Sequence, residues 1–170
     1  APPYKFLAPY GLRERHLFKG RAAEIVRLQH FIGAGRLLVL YGPSGVGKTS
    51  LLAAGVIPEL LRWGALVVHI REYTQPLAKT LRAALNSSHE QIPLSLPEDA
   101  SLATLAQSIT SATNGTLVLI LDQFESLFQP AILPEARAMQ INAVIESLQA
   151  VDPQYLRLIL SVRDDALVSL

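Results

Sequence analysis

One stretch, residues 42–49, constrains the fold of this chain more than any other. It reads GPSGVGKT and fits the pattern G-x-x-x-x-G-K-[ST], in which a glycine-rich loop (the P-loop) binds phosphate. The apolar run at residues 37–41 predicts a buried strand before it, and residues 50–54 predict the start of a helix after it. Strand, glycine loop and helix, in this order, form the context in which the pattern marks a phosphate site.

The residue types of the loop suit a phosphate ligand. Glycine adopts backbone angles that other residues avoid, and its main-chain N–H groups can approach an anion closely. The N-terminus of the following helix adds positive potential. Lys48 supplies a charge for the β- and γ-phosphates, and Thr49 offers a hydroxyl to a phosphate-bound Mg²⁺. The predicted nucleotide-binding residues of this stretch are Gly42, Pro43, Ser44, Gly45, Val46, Gly47, Lys48, Thr49 and Ser50.

Composition argues against several other classes of protein. Half of the 170 residues are hydrophobic and 17% are charged, which predicts a folded domain rather than a disordered chain. The net charge of +1 gives no electrostatic argument for a nucleic-acid or membrane partner. No apolar stretch has the length of a membrane span, and there is no signal-peptide pattern. Cysteine is absent, which is compatible with a reducing compartment, and we expect a cytoplasmic protein.

The rest of the chain alternates apolar runs with helical patterns. Further strands are predicted at residues 65–70, 116–121 and 155–162, and helices at residues 21–32, 58–63, 76–85, 101–112 and 134–150. Pro58 is expected to interrupt the helix after the loop and to open a separate helical segment. Alternating strands and helices predict an α/β fold, with a mainly parallel sheet between two layers of helices.

Asp122 comes directly after the third predicted strand, which consists of aliphatic residues from Leu117 onward. An apolar strand that ends in aspartate, downstream of a P-loop, is the Walker B pattern. Its carboxylate would hold Mg²⁺ through a water or accept a hydrogen bond from Thr49. The alternative is an aspartate that only initiates a turn. Since ligands bind at the carboxyl ends of parallel strands, we expect Asp122 to face the P-loop.

Hydrolysis needs a group that positions or deprotonates the attacking water, and two candidates follow Asp122. Gln123 can orient a water but cannot take its proton. Glu125 can do both if the turn brings it inward. The alternative for Glu125 is a solvated carboxylate at the start of the next helix.

Two more polar residues accompany the predicted strands. Arg163 follows the fourth strand, where its guanidinium could reach a γ-phosphate and report its presence. The alternative is an ion pair with Asp164, Asp165 or another carboxylate. His69 lies within the second strand, and we interpret it as a core or strand-end histidine rather than a metal ligand, because no second metal-binding residue is spaced to join it.

These motifs together resemble those of the STAND NTPases, which are signal-transduction ATPases with numerous domains. Residues 17–21, LFKGR, resemble the hydrophobic-x-Gly-Arg signature that precedes the P-loop in that class. The bacterial novel STAND branch is similar at residues 42–51, 54–58, 121–128 and 160–165. The resemblance extends from about residue 10 to residue 170, and DQFE at residues 122–125 is its most specific part.

The resemblance implies an AAA+-like P-loop fold and an ATP/ADP-driven switch that uses Mg²⁺. In this class the nucleotide-binding core lies between effector and sensor domains, hydrolysis is slow, and oligomerisation can follow activation. Gly20 and Arg21 would lie near the adenine side of the pocket. Ser126 is a departure, because the branch often has a second acidic residue there. A guanine-reading Asn-Lys-x-Asp motif is absent, which favours adenine.

The resemblance also sets expectations for domain organisation. We expect residues 1–16 to be a lead-in and residues 17–170 to be the N-terminal part of the nucleotide-binding domain. Family members continue with a fifth strand beside the P-loop strand and a helical lid. We therefore expect four strands here, an exposed P-loop strand at the sheet edge, and little or no turnover by this segment alone. The competing interpretations are an AAA+-like turnover ATPase and a P-loop interaction scaffold with little catalysis.

Overall fold

A computed structural model of the protein describes residue 11, residues 18–87 and residues 96–169. Its described residues form one four-stranded sheet in the order β1-β4-β3-β2, in which every neighbouring pair is parallel. The strands are β1 (Leu37–Gly42), β2 (Leu66–Ile70), β3 (Leu117–Leu121) and β4 (Leu156–Arg163). Each predicted strand is confirmed to within one residue at either end. The predicted lead-in lies outside the described residues except for residue 11.

The helices connect these strands in the predicted alternation. They are α1 (Ala22–Ala34), α2 (Lys48–Ser50), a π-helical segment (Leu51–Val56), α3 (Ile57–Arg62), α4 (Leu77–Ser87), α5 (Leu102–Thr113) and α6 (Pro134–Ala150). Two 3₁₀ helices, Phe124–Phe128 and Asp164–Ser169, follow β3 and β4. We call residues 48–62 the P-loop helix, because α2, the π-helical segment and α3 follow one another without a break.

The two faces of the sheet bury their side chains against different helices. Val118 and Ile120 of β3 and Ile159 of β4 pack on α1 and the P-loop helix. Leu119 and Leu121, on the opposite face of β3, pack with apolar residues of α4, α5 and α6. The predicted three-layer αβα architecture is therefore confirmed, with β3 buried on both faces. None of the helices in the described part of the chain is long and apolar enough to cross a membrane.

Pro58 lies at the start of α3, as predicted for a second helical segment, but the predicted interruption of the helix does not occur. Pro58 lies inside a continuous helix, in the first turn of α3. The π-helical segment just before it carries the Ile57 N–H to the carbonyl of Leu52, five residues back. This wider turn accommodates a proline that has no N–H to donate. Helix α1 also extends two residues beyond its predicted end, to Ala34.

A glycine permits close packing between α1 and the π-helical segment. A Cβ at Gly55 would lie 2.8 Å from both Cδ1 and Cγ1 of Ile25. Because only glycine leaves that space free, Ile25 can rest directly on the backbone of the segment. This contact holds α1 against the P-loop helix.

Candidate functional site

The P-loop adopts a conformation that two of its glycines make possible. Gly45 has φ +78° and Gly47 has φ +91°, in the left-handed region that other residues avoid. The Leu51 N–H then donates to the Gly47 carbonyl at 2.8 Å and starts the helix. The Lys48 ammonium lies within the loop, where its Nζ donates to the carbonyl oxygens of Gly42 (2.6 Å) and Pro43 (3.0 Å). The rim of the loop, Pro43, Ser44, Gly45 and Val46, is exposed, and Ser50 is buried below it.

The segment that precedes α1 reaches the P-loop from outside. Arg21 donates through Nη2 to the Val46 carbonyl at 3.0 Å and through Nη1 to Glu24 at 3.0 Å. Gly20, with φ +82°, turns the chain immediately before this arginine. The structure therefore brings Arg21 to the loop, and its role beside adenine, with that of Gly20, stays a prediction.

Three polar side chains share the sheet face that the P-loop helix covers. Side chains alternate along a strand, so each lies two residues beyond an apolar residue that packs on this helix. Those apolar residues are Val67 on β2, Ile120 on β3 and Ile159 on β4. The polar residues that follow them are His69, Asp122 and Ser161. They form a row on this face, at or near the carboxyl ends of three adjacent strands.

Asp122 is the most enclosed member of this row, with none of its surface exposed. Its Oδ2 lies 3.3 Å from His69 Nε2 and 3.6 Å from Arg71 Nε. Its Oδ1 accepts from the N–H of Gln123 at 3.0 Å. The hydroxyl of Tyr73 donates to the Asp122 main-chain carbonyl at 2.8 Å. Three residues at or just after the carboxyl end of β2, His69, Arg71 and Tyr73, therefore contact this aspartate.

These contacts decide the charge state of Asp122. Burial raises its pKa, but interactions with His69, Ser161 and Thr49 outweigh burial and hold the pKa below its usual value. Among these three, His69 has a nitrogen within hydrogen-bond distance of the carboxylate, at 3.3 Å, whereas the Ser161 Oγ is buried without a hydrogen-bond partner among the described residues. Asp122 is thus ionised at neutral pH, and it meets Thr49 of the P-loop helix.

This pair suits a divalent cation that already carries phosphate. Mg²⁺ prefers oxygen ligands and keeps several waters, so one carboxylate and one hydroxyl suffice when phosphate completes the shell. In the described ranges no group of three or more His, Cys, Asp or Glu residues could hold a metal alone. The residues present therefore fit a nucleotide-bound Mg²⁺ better than an independent metal centre.

Glu125 lies in the first turn of the 3₁₀ helix after β3, where it is half-buried. Its Oε2 accepts from the main-chain N–H of Arg163 at 3.2 Å, which links the ends of β3 and β4. Gln123, at the start of this turn, has φ +55° and an exposed side chain. Both candidates for positioning water are therefore at the carboxyl edge of the sheet, and neither role is tested by these contacts.

Arg163 stands beside the P-loop but is engaged elsewhere. It pairs in register with Gly42, the first residue of the loop. Its Nε donates to Oδ1 of Asp165 at 3.0 Å, and its Nη2 to Oδ2 of the same carboxylate. The hydrogen bond to Asp165 is the main reason that the pKa of Arg163 is raised. The ion pair anticipated as the alternative is present, and the γ-phosphate role stays a prediction.

Sequence reasoning missed the contacts of Asp122 with His69, Arg71 and Tyr73. The interpretation of His69 as a core or strand-end histidine did not include a partner. The sequence did show that His69 lies on the same face of β2 as Val67, because side chains alternate along a strand. The missing information was that β2 is the neighbour of β3, since strand order does not follow from periodicity.

The fold is shared with solved ATPase structures. The ORC2 protein of Aeropyrum pernix (ADPNP–ADP complexes) is 22% identical with a TM-score of 0.58; the match covers 89% of this chain and 43% of that one. The Walker-type ATPase of Pyrococcus abyssi is 19% identical with a TM-score of 0.60; the match covers 92% and 48%. The chain thus spans less than half the length of these neighbours. At such identities the likeness shows the fold alone.

The family assignment comes from sequence rather than from these neighbours. No curated protein sequence matches the chain significantly. The profile of the novel STAND NTPase 1 family matches residues 3–170, which is nearly the whole chain. This match confirms the resemblance drawn from the loop, the DQFE stretch and the end of β4. The chain belongs to the novel STAND NTPase 1 family.

Proposed function

We propose that this chain is the ATP/ADP-binding switch module of a multidomain, cytoplasmic signal-transduction ATPase, which hydrolyses ATP slowly with Mg²⁺. One observation carries the proposal. Thr49, on the P-loop helix, is close enough to the buried carboxylate of Asp122, at the end of β3, to lower the pKa of that carboxylate. The Lys48 ammonium lies next to Thr49 in a loop whose glycines adopt the required angles. Phosphate and metal ligands of the right types therefore meet at one edge of the sheet.

In this proposal different residues bind the phosphates and the Mg²⁺ ion that accompanies them. The main-chain N–H groups of residues 42–50 and the Lys48 ammonium hold the phosphates. Lys48 exchanges the carbonyls of Gly42 and Pro43 for phosphate oxygens. Thr49 and Asp122 hold Mg²⁺, which neutralises charge on the phosphates during transfer.

The adenine side and the hydrolytic side of the site are formed by other residues. Arg21, which contacts the Val46 carbonyl, and its neighbour Gly20 would border the adenine. The Aeropyrum ORC2 structure contains ADPNP and ADP on a similar fold, which supports an adenine nucleotide. Glu125 or Gln123 would orient the attacking water. Arg163 would reach the γ-phosphate after leaving Asp165.

A switch requires that ATP and ADP stabilise different arrangements of the full-length protein. A ligand that binds two states equally shifts no equilibrium, so the two nucleotides must differ in affinity between states. We propose that effector and sensor domains outside this chain respond to that difference, and that oligomerisation can follow activation. The second candidate is an AAA+-like turnover ATPase, which the Walker-type ATPase neighbour favours. Rapid ATP turnover by the full-length protein would select that candidate.

The first test is calorimetric titration of ATP, ADP and GTP, each with Mg²⁺, into this chain and into the full-length protein. We expect adenine nucleotides to bind and Lys48→Ala to abolish binding, because the ammonium lies inside the loop. Lys79→Ala, on an exposed position of α4, is the matched control and should bind normally. A full-length protein that binds no nucleotide, or that binds ATP and ADP with equal affinity, would contradict the switch.

A further inference from the structure

We propose that His69 is a positioning residue, which holds the Asp122 carboxylate in the orientation that Mg²⁺ requires. The inference rests on the proposed function, because it assigns a role within that same site. It adds a residue from β2, the strand farthest from the P-loop in the described sheet.

The first argument is the chemistry of the contact. His69 Nε2 lies 3.3 Å from Asp122 Oδ2. Because Asp122 is ionised, the carboxylate can only accept, so Nε2 must carry the hydrogen. Burial excludes water from Asp122, and no solvent molecule can readily replace the imidazole as donor.

The second argument is that the two carboxylate oxygens of Asp122 have different donors. The Asp122 N–H donates to the Ile70 carbonyl at 2.8 Å, and its own carbonyl accepts from Tyr73. Burial raises the pKa of Tyr73, which keeps its hydroxyl protonated as the donor. These two bonds fix the main chain of residue 122. On the side chain, Oδ1 accepts from the Gln123 N–H at 3.0 Å, and His69 Nε2 lies 3.3 Å from Oδ2. The imidazole therefore holds the second oxygen, which the main-chain donor does not reach.

Arg71 does not replace His69 in this role. Its Nε is 3.6 Å from the same oxygen, beyond hydrogen-bond distance, and its side chain is largely exposed. The exposed guanidinium of Arg71 is hydrated and can adopt several rotamers, so it tolerates a range of geometries. His69 sits in the strand itself, half-buried, and its ring has only two rotatable bonds. It therefore fixes Oδ2 more narrowly than Arg71 can.

Side chains that hold a metal ligand in place typically contribute 10–100-fold to metal affinity. The experiment measures ADP binding by calorimetry with MgCl₂ and with EDTA, in the wild type, His69→Leu and His69→Gln. We expect His69→Leu to reduce the enhancement of ADP affinity by Mg²⁺ about tenfold, with Mg²⁺-free binding unchanged. His69→Gln keeps an N–H donor near the position of Nε2 and should restore most of the enhancement.

The controls separate positioning from general damage. His30→Leu removes an exposed histidine from α1, distant from Asp122, and should behave as the wild type. His69→Phe, which keeps a planar ring but has no nitrogen donor, replaces His69→Leu if that variant does not fold. Full Mg²⁺ enhancement in the leucine variant, or equal loss with and without Mg²⁺, overturns the inference alone. A wild type that binds no ADP overturns the proposed function and the inference together.

Discussion

Strands β1 and β3 each carry one half of the site, but their surroundings differ. Every residue of β3 is buried, and the strand pairs with β2 on one side and β4 on the other. Strand β1 pairs only with β4 among the described strands. Its alternate residues Leu37, Val39 and Tyr41 are exposed, by 48%, 42% and 64%. The P-loop thus follows an edge strand, and Asp122, the proposed Mg²⁺ ligand, follows a central one.

The residues that follow β1 and β3 also differ in how far along the chain their contact partners lie. Lys48 bonds to carbonyls five and six residues away, and Gly45 and Gly47 shape the loop through their own backbone angles. Asp122 instead contacts His69, 53 residues away, and Tyr73, 49 residues away. The loop is therefore determined mostly by local sequence, and the aspartate by the assembled sheet. Damage to β3 should unfold the domain, while damage near β1 should alter the site first.

The largest expected effect comes from one substitution made at equivalent places in the two strands. Leu37 and Leu117 are the first residues of β1 and β3, and Leu117 has no exposed surface. Leu117→Ala should lower the free energy of unfolding by about 2–5 kcal/mol, since it leaves a cavity in the core. Leu37→Ala should cost about 1 kcal/mol or less, because the side chain is already half in water. Urea unfolding measured for both variants checks the difference.

Equal losses in the two variants would contradict the comparison. That result would mean that the exposed side of β1 is covered in solution, for example by another copy of the chain. Unfolding curves at two protein concentrations distinguish this case, because stability that depends on association rises with concentration.

A substitution within the P-loop should lower the free energy of unfolding by less than Leu117→Ala does. Gly47→Ala places a Cβ on a residue with φ +91°, where an alanine is strained by about 1–2 kcal/mol although no neighbour blocks it. We expect nucleotide affinity to fall more than stability, since the loop can change conformation without disturbing the core. Calorimetric titration of ADP and urea unfolding measure the two effects.

The control for that variant is Gly33→Ala. Gly33 lies within α1, with free space around it and no positive φ. Alanine there should stabilise the chain by about 0.5–1 kcal/mol and leave ADP binding unchanged. If Gly47→Ala behaves like Gly33→Ala, the left-handed loop conformation is not required for binding.

The contrast between the P-loop, which depends on local sequence, and Asp122, which depends on the assembled sheet, also explains what the sequence could predict. The strands, the αβα layers and the P-loop were predictable, because each depends on short-range patterns of apolar residues and glycine. The contact of His69 with Asp122 was not, since it depends on which strands are neighbours. The helix through Pro58 was also missed, because periodicity assumes α-helical spacing and the preceding turn is π-helical. For Arg163 the sequence left two partners open, and the choice depends on side-chain geometry.

A third prediction concerns the pH dependence of stability, to which the buried carboxylate of Asp122 should contribute more than an exposed carboxylate. The pKa of Asp122 is lowered in the folded state relative to about 3.9 in the unfolded chain. Its ionised form therefore stabilises the fold above about pH 4, and this contribution is lost as the pH falls through the folded pKa. The stability difference between the wild type and Asp122→Asn should narrow from pH 7 to pH 3. Urea unfolding across that range measures it, and a constant difference would argue against an ionised Asp122.

The smallest effect concerns the exposed end of β4. The pKa of Asp165 is also lowered, chiefly by its hydrogen bond from Arg163, but both side chains are in solvent. Asp165→Asn should therefore leave the unfolding midpoint unchanged, because exposed ion pairs contribute little. It frees the guanidinium beside Gly42, so ATP affinity should rise by less than about fivefold while ADP affinity stays constant. Arg163→Ala combined with Asp165→Asn should remove this gain. A gain that survives the double substitution, or that is equal for ADP, would show that Arg163 does not respond to the γ-phosphate.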